Sequence, residues 1–181
     1  RALLHKQALG RGDEEVQSLE DALFLVFLNE LLNTAAKLAD GTLTALDLAE
    51  ACVASIEARE REIGAWAWFD AEHVRAEARR LDDHRASGAP LGPLHGLPVG
   101  LKDVIDTAGI RTENGCPVDA GRVPERDACI VEKLKAAGAL IVGNTVTTEL
   151  AFLHPGKTRN PRNLGHTPGG SSSVSAAAVA A

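Results

Sequence analysis

The chain contains no methionine in its 181 residues and only three cysteines, Cys52, Cys116 and Cys129. An odd number of thiols at wide spacing excludes a disulfide framework and argues for reduced cysteines in a cytoplasmic protein. Without a methionine, Arg1 does not read as a translation start. The last residues, Val179-Ala180-Ala181, lie inside an alanine-rich helical run without a stop signal, so both ends read as cut. No apolar stretch approaches the ~18 residues that a transmembrane helix needs. An export signal is not expected either, because Glu14, Glu15, Glu20 and Asp21 stand where it would be basic and then apolar. The net charge is −6 and basic residues do not cluster, which argues against a nucleic-acid-binding surface of the usual electrostatic kind. His95, His154 and His166 lack the spacing of a metal site.

What is present suffices for one domain with a core. Residues 1–28 form an unassigned extension, in which Ser18 could cap a helix through Leu19–Lys37, ended by Gly41. Thr44-Ala45-Leu46-Asp47 is a capping-box pattern. The helix it opens runs to about Arg61, with Leu48, Cys52, Val53 and Ile56 as its core face. A second, heavily charged helix spans Ala71 to about Ala86 and stops at Ser87-Gly88-Ala89-Pro90. Leu97–Ile105 reads as a buried strand and Thr107–Arg126 as an irregular stretch. Asp127 is placed to cap a helix through Ala137 that buries Ile130, Val131 and Leu134, with Gly138 as its stop. Ala139–Val142 is then a second short strand. Strand, crossover helix and strand predict a βαβ-like unit and an α/β fold. A long loop, Leu153–Gly170, leads into Ser171 and an alanine-rich helix.

Two features carry chemistry. The first is Lys102, a lysine inside the apolar strand Leu97-Pro98-Val99-Gly100-Leu101-Lys102-Asp103. Such a lysine is costly unless its ammonium finds a partner or its proton is lost. Asp103 is the obvious partner, yet neighbouring strand residues point to opposite faces, so the two do not naturally meet. The second is Thr167-Pro168-Gly169-Gly170-Ser171-Ser172-Ser173, a Gly/Ser loop running into a helix. Free backbone amides at a helix start suit an anion or an oxyanion, so a phosphate cradle, an oxyanion site and a plain turn all stay open. The nucleophile elbow G-x-S-x-G does not fit, because Ser173 stands where its last glycine belongs. A P-loop does not fit either: Gly156-Lys157-Thr158 matches its tail, but Ala151 replaces the first glycine.

Taken together, G-L-P-V-x-x-K-D, the D-A-x-x-V-E-K-L-x-x-A-G-A helix, T-R-N-P and P-G-G-S-S-S-x-S-A-A-A-V-A-A resemble the amidase signature family. The likeness runs from about residue 29 to 181, which gives a truncated N-terminal part of that domain. It implies an open, mixed, twisted sheet flanked by helices. It also implies hydrolysis of a small amide through an acyl-serine intermediate, without metal or organic cofactor. Lys102 matches the family's catalytic lysine. Ser171 matches its serine held by a cis peptide bond, here Gly170–Ser171. Gly169, Gly170 and Ser172 would support the loop, and Cys116, in Asn114-Gly115-Cys116-Pro117, falls in a segment that approaches the substrate pocket in that family. The family's nucleophilic serine comes in a second Gly-Gly-Ser segment that this chain does not have, so the chain by itself is expected to be inactive and poorly stable. Val174 stands where the family usually has glycine. The partner expected is a small-molecule amide, with no membrane and, unless the chain is an amidotransferase component, no nucleic acid; a homodimer stays open. The alternative is the A-type component of an amidotransferase, supplying ammonia to mischarged tRNA, and a non-catalytic anion-binding fragment is a third reading.

Bland roles fit the remaining candidates: Cys52 and Cys129 packed in helices, Cys116 in a turn against the core, His166 ordering its loop, and Arg159 and Arg162 solvated.

Overall fold

The computed structural model describes residues 30–180; the expectations for residues 1–28 lie outside the described residues. Helix α1 occupies 30–40, α2 Ala45–Ile63, α3 Ala71–Ala86, α4 Cys129–Ala136 and α5 Ser173–Ala180. Strands β1 (Trp66–Phe69), β2 (Pro98–Lys102) and β3 (Leu140–Thr145) form one mixed sheet in the order β1-β3-β2, with β3 antiparallel to β1 and parallel to β2. The βαβ unit predicted from sequence is therefore β2-α4-β3. Among the described residues no helix is long and apolar enough to cross a membrane.

Local chemistry sets the helix ends. Thr44 accepts from the Asp47 amide at 2.9 Å and Asp47 from the Thr44 amide at 3.2 Å, which completes the capping box. A second, tertiary cap comes from α3: the Asp82 carboxylate accepts from the Ala45 and Leu46 amides at 2.8 and 3.0 Å. At the other end Gly64 takes the left-handed conformation, with φ 64°. Glu60 then accepts from the Ala65 and Trp66 amides and leads the chain into β1. Helix α3 starts at Asp70, whose carboxylate accepts from Glu72 and His73.

Three expectations need correction here. Strand β1 has no counterpart in the sequence reading; the aromatic run Trp66-Ala67-Trp68-Phe69 between Gly64 and Asp70 was its signal. Asp127 does not cap α4, which begins after Ala128; its carboxylate accepts from the Ala108 amide and from Lys135, both at 2.7 Å. Cys129 and Ile130 face solvent, so α4 buries chiefly Val131.

The sheet is packed on both sides. Leu140 and Val142 face α2 and α3, meeting Ala49, Val53, Val74, Ala78 and Leu81. Leu101 and Ile141 face the other way, against Val131 and Ile110. The pairing with β2 shifts register just before Gly143, and that with β1 between Trp66 and Trp68. A Cβ on Gly143 would lie 2.4 Å from the Trp68 carbonyl oxygen, so the bulge depends on glycine.

His95, in the turn before β2, is buried and its Nε2 has no hydrogen-bond partner among the described residues, while the His84 ring lies 6.3 Å away. Burial, reinforced by His84 and Arg85 and opposed by Asp82, holds its pKa below the usual imidazole value. The unfolded chain therefore takes up the proton first. His95 contributes stability fully above the ordinary histidine pKa of ~6.5, and loses it as pH falls through that range. Thermal melts at pH 7.5 and 5.5 should show a lower midpoint at pH 5.5, and His95→Gln should flatten the difference. An equal slope in the variant would count against this assignment.

Candidate active site

Lys102 closes β2 and pairs with Thr145 of the neighbouring β3. Because Leu101 is committed to the α4 side, Lys102 emerges on the opposite face of the sheet. There its Nζ donates to Ser171 Oγ at 2.8 Å and to Ser172 Oγ at 3.2 Å. The partners are separated by 69 and 70 residues in the chain, and both are hydroxyls. The Gly170–Ser171 peptide bond is cis, as the resemblance implied. Gly169 precedes it with φ 94°, a conformation that disfavours any side chain.

The loop is held from two sides. Helix α5 begins directly after it and buries Val174 and Ala177 against Ile63, Ala65 and Val146. Val174, standing where a family glycine is usual, thus serves as the anchor of α5. Under the lysine, Thr145 Oγ1 donates to the Leu101 carbonyl at 3.2 Å and lies 3.3 Å from Ser175 Oγ. On the other side Thr148 packs under Gly170, where a Cβ would come within 2.9 Å of its methyl group. Sequence reading missed Thr145 and Thr148; only the threonines clustered at the end of β3 and just beyond it marked them.

Asp103, the first residue past β2, turns away from Lys102. Its buried carboxylate accepts from the Glu113 and Gly115 amides at 3.1 and 3.3 Å, and burial raises its pKa against the pull of those two bonds. It pins the 113–116 turn that carries Cys116. Half-buried Cys116 lines a cleft of about 340 Å³ with Asp103, Glu113, Thr147 and Lys157, whereas Gly169, Gly170 and Ser171 line a different one of about 450 Å³. The structure therefore brings together Lys102, Ser171, Ser172, Gly169 and Gly170, and leaves Cys116 apart.

Other sequence candidates settle as follows. Cys52 is half-buried and lines a groove between α2, β2 and α5 instead of the core. The backbone of His166 bonds Asn160 and Asn163, ordering the loop. Arg159 and Arg162 are exposed. Among the described residues no group of three or more His, Cys, Asp or Glu is arranged to hold a metal ion.

The amidase family model matches residues 47–181. The chain belongs to the amidase signature family. Similar curated relatives include the A component of the glutamyl-tRNA(Gln) amidotransferase of Streptomyces coelicolor, 42% identical over 81% of this chain and 31% of that protein. Its counterpart in Chloroflexus aurantiacus is 43% identical over 85% and 33%. Among solved structures, the peptide amidase of Stenotrophomonas maltophilia superposes with a TM-score of 0.74 at 36% identity, over 81% of this chain and 32% of that one. The chain thus spans about 31% of the length of the S. coelicolor relative. Its mixed sheet, flanked by helices, is the fold of these amidase signature structures.

Proposed function

We infer that the protein carrying this chain hydrolyses carboxylic amides, with Lys102 as general base and Ser171 as proton relay. The observation that supports it most is the 2.8 Å hydrogen bond from Lys102 Nζ to Ser171 Oγ, formed across the chain onto a Gly-Gly-Ser loop. That separation is within the ~2.6–3.2 Å range for direct proton transfer. A serine hydroxyl is a weak nucleophile until a neighbour takes its proton. In the proposed sequence the attacking serine, supplied by the protein outside this chain, gives its proton to Ser171 Oγ. Ser171 passes its own to the amine of Lys102. The amide then becomes an acyl-serine ester plus ammonia or amine, and water releases the carboxylate. Gly169 and Gly170 shape the loop that aims the hydroxyl, and Ser172 gives the amine a second partner. No cofactor is required.

The same relay could serve the A component of an amidotransferase that passes ammonia to mischarged tRNA, a reading favoured by the 42% identity to such a protein. Ammonia release by the complete protein from glutamine and from simple primary amides tests both. Turnover of simple amides supports the amidase, and turnover confined to glutamine supports the amidotransferase. Release from neither would overturn the proposal.

A further inference from the structure

The relay needs two groups from distant parts of the chain at hydrogen-bond distance, and a lysine with its many rotamers does not hold itself there. Thr145 of β3 grips both chain neighbours of Lys102. Its carbonyl accepts from the Asp103 amide at 2.9 Å, and its Oγ1 donates to the Leu101 carbonyl at 3.2 Å. A hydroxyl has one proton to donate, and that of Thr145 is committed to Leu101. The 3.3 Å contact with Ser175 Oγ must then run from serine to threonine. The result is a directed chain, Ser175 to Thr145 to Leu101, which crosses from α5 through β3 to β2.

The two ends of this chain are the two halves of the relay. Leu101 precedes Lys102 on β2, and Ser175 follows Ser171 by four residues, about one helical turn. Packing alone leaves a freedom open between them. Val174 and Ala177 bury α5 against Ile63, Ala65 and Val146, but apolar contacts have no direction and let a helix turn about its axis. A hydrogen bond is directional and closes that freedom. Thr145 is itself fixed, being buried and β-branched, with its methyl group 3.4 Å from where a Cβ on Gly100 would stand.

We propose that Thr145, together with Ser175, is a positioning residue for the relay. Its hydroxyl sets the separation of Lys102 Nζ from Ser171 Oγ and so acts on turnover through the lysine. This rests on the amidase reading and adds to it a residue outside the reacting pair.

Three variants of the complete protein test it. T145V keeps the shape and removes the hydroxyl, T145S keeps the hydroxyl and removes the methyl group, and S175A removes the donor. For T145V and S175A the expected kcat for ammonia release is about tenfold to a hundredfold lower, with KM within about twofold, as misplacing reacting groups by ~1 Å costs up to that much. T145S should stay within about threefold of wild type, since serine offers the same donor. T145V/S175A should be no slower than T145V, because the two hydroxyls form one chain. A residue that served only to pack would give the reverse order, T145S slow and T145V near normal, and that result overturns the proposal. Equal losses in T145V and T145S, or a loss carried by KM, overturn it too. S175A, at a half-buried position, carries the same comparison if T145V does not fold.

Crystal structures of the complete protein and of these variants give a reading that needs no turnover. A separation of Lys102 Nζ from Ser171 Oγ beyond about 3.5 Å in T145V or S175A supports positioning even if no amide is hydrolysed. A separation still at 2.8 Å overturns it and leaves the relay to its own test.

Discussion

Lys102→Ala in the complete protein is expected to slow amide hydrolysis at neutral pH by about 10²–10⁴-fold, with KM little changed. The substitution removes the amine 2.8 Å from Ser171 Oγ and, with it, the side chain that ties the loop to β2. Lys102→Arg sharpens the result. A guanidinium keeps a positive charge and can donate to both hydroxyls, but it cannot give up its proton in a protein. If Lys102 works as a base, arginine should be as inactive as alanine. If it serves only as a fixed cation or loop anchor, arginine should recover much of the activity. Initial rates of ammonia release from a primary amide decide between them, and near-normal turnover by either variant would sink the base role.

Leu140→Ala is expected to destabilise the fold by about 2–5 kcal/mol, the usual cost of a buried large-to-small change. Leu140 is 1% exposed and sits on the central strand, between the facing surfaces of α2 and α3. Ala49 and Ala78 already bring those helices close, so there is little slack for them to collapse into the space left. The same strand carries Thr145, the register partner of Lys102, so loosening β3 also loosens the platform of the site. Urea unfolding compares this variant with Val118→Ala, where the side chain is 90% exposed and a change within about 0.5 kcal/mol is expected. Equal midpoints for the two would contradict the packing described.

Much of this was legible in the residues alone. The Thr44 capping box, the span of α3, the glycine stop at Gly138 and the β2-α4-β3 unit depend on local chemistry that a short window contains. Strand β1 was not legible. Four residues, three of them aromatic, show no alternation, and their pairing partner lies more than seventy residues away on β3. Asp127 shows the limit of capping patterns, since a favourable N-cap residue was drawn instead to the Ala108 amide and Lys135. The surroundings of Cys116 were not legible either, because its turn is held by the Asp103 carboxylate and by the bond from the Leu150 amide to the Asn114 carbonyl, both long-range.

By itself the sequence determined that this chain has the lysine strand and the Gly/Ser loop of an amidase, because those residue types are costly elsewhere and their order is specific. It also determined that Lys102 and Asp103 would part, since a strand alternates its faces every residue. Which partners each would find was decided only by the tertiary structure. Burial of Leu101 against α4 turns Lys102 to the α5 side, and burial of Val174 and Ala177 brings Ser171 to meet it there. The contact of Thr148 with Gly170, residues 22 positions apart, belongs to the same class, since only packing makes them neighbours.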